Sequence, residues 1–169
     1  MSHERLRDLG LSVGVLEPGP LNAITDVPGV WVGHATVIAE EPTVARTGVT
    51  VIVPREDEIR NDYCFAGYHT FNGNGEMTGI HWVEASGMLT SPIGLTNTYS
   101  VGVVHDALIE WAITRHGGGY GLPVAAETFD GWLNDIRAFH ITKDHVFAAL
   151  ENAGPGPVAE GNVGGGTGM

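Results

Sequence analysis

The chain has 169 residues, 43% of them hydrophobic, a formal charge of −12 and 25 glycines. That length fits one domain burying about two-thirds of its unfolded surface, and the hydrophobic content excludes a disordered chain. The charge argues against a nucleic-acid partner, because phosphate binding needs clustered Lys and Arg and the eight basic residues are scattered; an acidic surface suits a cationic ligand such as a free amine.

The N-terminus, MSHERLRDLGL, is charged and lacks the apolar core of a signal peptide, and no apolar run approaches the ~18 residues of a membrane span. With the lone Cys64, which has no internal disulfide partner, this makes the cytoplasm the expected compartment, with no membrane partner expected.

In chain order, GVWVGHATVI (Gly29–Ile38) follows the turn DVPG and alternates as a strand does. RTGVTVIVP (Arg46–Pro54) reads as a second strand stopped by Pro54. A helix is expected over Met77–Gly87. SPIGLTNT and LPVAAET are short apolar runs with the look of buried strands. Between them, Val104, Ala107, Leu108, Trp111 and Ala112 recur at helical spacing, with Arg115 and His116 at the C-terminal end where a helix dipole favours them. A last helix follows Thr142 as N-cap, presents Val146, Ala149 and Leu150, and stops before Gly154-Pro155. Interleaved strands and helices predict a layered mixed fold in a single domain.

Several stretches carry chemistry, each with a plainer reading beside it. FNGNGEMTGIHWVEASG (Phe71–Gly87) repeats Asn-Gly and then places Glu76 six residues before Trp82. A carboxylate on a tight turn beside an aromatic can hold an ammonium group; a helix-capping acid and a core tryptophan account for the same spacing. Asn97, Thr98, Tyr99 and Ser100 end an apolar run just before a helix, a position that suits binding and suits capping equally. AAETFDGWLNDIRAFH holds Asn134, whose amide can donate to an oxyanion without titrating, although an Asn-Asp pair also makes a turn. The eight histidines show no HxxxH spacing and there is no CxxC, so no metal is expected. The final GNVGGGTGM lacks the Gly-Lys-Ser/Thr of a phosphate loop and does not match GxGxxG, so nucleotide binding is rejected.

Taken in order, GPLNAITDVPGVWVGHATV, RTGVTVIVPR, FNGNGEMTG, LTNTYSVGVVHDA, VAAETFDGWLNDI and PVAEGNVGGGTGM resemble the L-aminopeptidase/D-amidase–D-esterase and β-peptidyl aminopeptidase family of N-terminal-nucleophile hydrolases. The resemblance spans nearly the whole chain from about residue 9. It implies an α+β fold, an αββα sandwich completed by a β-chain not present in this sequence. It also implies that this is most of the α-chain of a self-cleaving precursor, ending before the cut that exposes a Ser or Thr nucleophile. By the match to LND, Asn134 supplies the oxyanion amide. Glu76, at NGNGE, grips the substrate amine, with Trp82 and Tyr99 as pocket walls. The implied partners are the β-chain, a small peptide or amino-acid amide, and further αβ units in a homotetramer; no cofactor is implied. The α-chain alone would expose sheet edges and apolar surface. Departures from the family pattern are Tyr99 where His is common, Arg137-Ala138 where Asn-Gly is common, and a short glycine-rich loop at Thr114–Pro123. The rival readings are an acyltransferase of the ornithine acetyltransferase type and a non-catalytic binding relative.

Overall fold

The computed structural model describes residues 4–56, 59, 62–117 and 121–169. Its centre is a four-stranded sheet. Strands β1 (Trp31–Ala39) and β2 (Ala45–Val53) pair antiparallel over their full nine residues, from Trp31↔Val53 to Ala39↔Ala45. The short pair β3 (Cys64–Phe65) and β4 (Met88–Leu89) forms a separate two-stranded sheet. Strand β5 (Ile93–Asn97) lies antiparallel beside β2, and β6 (Val124–Thr128) lies parallel to β5 at the edge, giving the order β1-β2-β5-β6.

A parallel pair needs a crossover, and helix α2 (Val101–His116) provides it between β5 and β6. Helix α3 (Lys143–Glu151) joins α2 on the same face of the sheet. The alternation of β2 sets that face: Val49, Val51 and Val53 point to the helices and are buried, as are Val104, Ala107, Leu108, Val146 and Ala149. Each fully buried Val or Leu contributes about 1.5–3 kcal/mol to this core. Helix α3 crosses β1 at Gly33, where a Cβ would lie 1.9 Å from the Ala149 carbonyl oxygen, so the helix can settle this close only on a residue without a side chain.

The strands and helices read from the sequence all form, with bounds shifted by one to three residues at most of their ends. The helix expected over Met77–Gly87 is shorter: α1 covers Ile80–Ser86. The preceding residues extend the sheet instead, with Met77 bridging Ala126 and the Thr78 N–H donating to the Ala125 carbonyl. Of the Thr114–Pro123 loop, residues 118–120 lie outside the described residues. No helix among the described residues is long and apolar enough to cross a membrane.

Candidate active site

The chemistry-bearing residues gather where β2 begins and the parallel strands β5 and β6 end. Asn97 and Thr128 are register partners at those carboxyl ends. Asn97 is buried; its Oδ1 accepts from the Tyr99 and Ser100 N–H groups, each at 3.1 Å, and its Nδ2 donates to Thr47 Oγ1 at 2.9 Å. The capping reading of this stretch therefore holds for Asn97, which also ties β5 to the start of β2.

One residue earlier on β2, the Arg46 N–H donates to Asn134 Oδ1 at 3.0 Å. The Asn134 Nδ2 donates in turn to Asp130 Oδ1 at 3.2 Å, and Asn134 is only 6% exposed. The loop carrying Asn134 is closed by its own backbone, the Leu133 and Asn134 N–H groups both donating to the Asp130 carbonyl, and is stapled to the residue just before β2 by the Asp135 N–H on the Val44 carbonyl. Asp135 also makes the turn foreseen for an Asn-Asp pair, its Oδ1 accepting from the Arg137 N–H. The result is a side-chain amide with its rotamer fixed. A carboxylate demands a donor and an N–H demands an acceptor, so only one orientation of this amide satisfies both neighbours.

Arg46 contributes its backbone alone. Its guanidinium turns away to the carbonyls of Ala39 and Ala45 and to the Glu40 carboxylate.

The terminal glycine segment closes the site from the sheet face opposite the helices. The Gly164 N–H donates to Thr36 Oγ1 (2.8 Å), the Gly165 N–H to Thr50 Oγ1 (2.9 Å), and Thr128 Oγ1 to the Gly165 carbonyl (2.7 Å). The Gly168 N–H is held by Asn162 Oδ1. A Cβ on Gly168 would lie 2.0 Å from the Arg46 carbonyl oxygen, so the segment runs directly over the residue that orients Asn134. Beneath it, His34 Nδ1 and Thr50 Oγ1 are 2.9 Å apart, while His34 Nε2 and Thr167 Oγ1 are buried without a hydrogen-bond partner among the described residues. Burial lowers the pKa of His34, favouring the neutral imidazole.

Glu76 is exposed beside β6, its carbonyl accepting from the Glu127 N–H at 3.0 Å. The Glu127 carboxylate lies over Gly75, so two acids flank this edge. Tyr99 is half exposed and stacks on Phe139 with ring centroids 6.0 Å apart. The turn after Asn134 forms with Arg137-Ala138 in place, and Phe139 takes the left-handed φ of 52° that ends it. The structure thus brings Asn134, Glu76 and Tyr99 to one end of the sheet. Trp82 stands apart: it lines a cavity of about 1200 Å³, with Trp31, Trp111 and Tyr63, at the end where β2 finishes and β5 begins. Asp130, the Arg46 N–H and the threonines 36, 50 and 128 carried no local signal in the sequence.

The model of peptidase family S58 matches residues 22–169. The chain is a member of peptidase family S58. Curated relatives of this S58 chain include the beta-peptidyl aminopeptidases BapA of Sphingosinicella microcystinivorans and Sphingosinicella xenopeptidilytica, each 48% identical, with 98% of this chain covering 43% of either relative. Among solved structures, a Burkholderia sp. beta-aminopeptidase superposes with a TM-score of 0.91 at 53% identity, over 98% of this chain and 48% of that one. The L-aminopeptidase D-Ala-esterase/amidase of Ochrobactrum anthropi, described as a prototype serine aminopeptidase and a variant of the N-terminal-nucleophile hydrolase fold, gives 0.90 at 46% identity, over 98% and 48%. The S58 chain therefore has the layered α+β fold of those enzymes, and it spans about half the length of the relatives it matches.

Proposed function

We propose that this S58 chain is the α-portion of a self-processing aminopeptidase/amidase that releases N-terminal residues from short peptides or from amino-acid amides and esters. The observation that carries the reading is the buried, doubly anchored Asn134 amide beneath the glycine segment. A fixed neutral donor in a dry site stabilises a developing oxyanion with little reorganisation. The relatives named above bear aminopeptidase names, and the chain spans about half of their length, which leaves room for a β-chain carrying the nucleophile.

In this mechanism a β-chain Ser or Thr attacks the scissile carbonyl, and its own α-amine takes the proton. Asn134 Nδ2–H and a backbone N–H hold the tetrahedral oxygen, while Glu76, with Glu127 close by, attracts the substrate ammonium group. Tyr99 walls the pocket at the same end. No metal or cofactor enters this reading. Phe65, Phe71 and Trp132 expose 94%, 92% and 88% of their surface, apolar area suited to cover by a β-chain or neighbouring αβ units. A homotetramer of αβ pairs in the cytoplasm completes the proposal.

The test is Asn134→Ala in the full-length protein, assayed on amino-acid p-nitroanilides. Removing one oxyanion donor lowers kcat about a hundredfold or more, with the fold retained by circular dichroism. A wild-type rate in this variant would refute the assignment.

A further inference from the structure

We infer that Asp130 is a positioning residue for the reaction, acting only through Asn134. The inference rests on the oxyanion role proposed above for that amide, and on three observations about Asp130 itself.

First, Asp130 is 1% exposed, and its Oδ1 accepts from Asn134 Nδ2 at 3.2 Å. A carboxylate is costly to bury without strong partners, and the Arg46 guanidinium is committed elsewhere, to Glu40 and to the carbonyls of Ala39 and Ala45. Second, the turn from Asp130 to Asn134 does not need this side chain. Both hydrogen bonds that close it end on the Asp130 carbonyl oxygen, which any residue supplies. Third, the contact completes a two-point clamp. With the Arg46 N–H on Asn134 Oδ1, Asp130 on one Nδ2 hydrogen fixes the amide plane and leaves the second Nδ2 hydrogen in a set direction. Without Asp130 the amide is held at one point, and turning it about its terminal bond costs one hydrogen bond in place of two. A misplaced donor is poorly matched to the transition state, and an error of about 1 Å can cost a hundredfold in rate.

The acceptor, and not its charge, does this positioning; the charge itself opposes a nearby oxyanion. Asp130→Asn keeps an acceptor, while Asp130→Ala removes it. In the full-length protein, kcat on an amino-acid p-nitroanilide falls about tenfold or more in D130A with KM unchanged, whereas D130N stays within about threefold of wild type or exceeds it. In an Asn134→Ala background, D130A then adds less than about twofold.

A folded D130N that loses as much as D130A overturns the inference, as does a D130A effect that persists undiminished in the N134A background. If D130A does not fold, the D130N result still decides, since the inference requires near-wild-type kcat there. Failure of the underlying reading looks different: N134A alone would then have wild-type kcat.

Discussion

Replacing Gly164 by alanine probes how firmly the glycine segment is held. Gly164 has φ +53°, a left-handed conformation that costs an L-residue about 1 kcal/mol. The added Cβ would lie 2.3 Å from Thr50 Oγ1, 2.6 Å from His34 Nδ1 and 3.0 Å from the Val49 carbonyl oxygen. Thr50 cannot swing away without losing its bonds to His34 and the Gly165 N–H. The segment must lift instead, giving up Gly164 N–H to Thr36 and Gly165 N–H to Thr50, each worth about 1 kcal/mol. The expected destabilisation is about 3 kcal/mol, a large part of the 5–15 kcal/mol typical of a domain. Gly161→Ala is the control: its φ is +85°, but none of the described residues lies within 4 Å of the new Cβ, so only the backbone cost of about 1 kcal/mol applies. Urea unfolding of the full-length protein, followed by tryptophan fluorescence at one protein concentration, separates the two variants by about 2 kcal/mol. Equal midpoints for G164A and G161A would show that the threonine–histidine cradle does not hold the segment.

The remaining predictions concern the histidine and the core. Burial lowers the pKa of His34 below 6.5, so on acidification the unfolded chain takes up this proton first. The contribution of neutral His34 is fully present above pH 6.5 and is lost as pH falls below it. Thermal melts of the full-length protein should therefore show a smaller loss of Tm between about pH 7 and pH 5 in His34→Gln than in wild type; an identical loss would mean that His34 is not the sensitive group. Leu108 is 2% exposed within the α2–sheet core, and Leu108→Ala should destabilise by about 2–5 kcal/mol in the same urea assay. A loss under 1 kcal/mol would place that side chain outside the core.

What was legible in the sequence follows the range of the interactions involved. Strands β1 and β2 and helices α2 and α3 carry their own periodicity, and β5 and β6 show as short apolar runs. Asn97 reads as a cap because its partners are two and three residues away. The end of the loop that delivers Asn134 is visible as a turn for the same reason. Helix α1 is shorter than its sequence suggests because Met77 and Thr78 take their conformation from β6, far along the chain. The clamp on Asn134 depends on Arg46, 88 residues away, and on a backbone N–H that every residue but proline has. The threonines of the cradle look like ordinary strand formers. The family resemblance supplied a role for Asn134, and only the folded geometry supplied the neighbours that aim it. The geometry also separates Trp82 from Tyr99, which the family resemblance groups as walls of one pocket.

The glycine segment has a consequence for the order of events during folding. The bonds that fix Gly164 and Gly165 reach back 128, 115 and 37 residues, to three different strands. Closing such loops is entropically costly until the distant partners are already in place. Thr36, Thr50 and Thr128 come into line only when β1, β2, β5 and β6 have assembled. The path of the chain through Thr167 and Gly168 is therefore set late, and its order reports that all four strands have assembled.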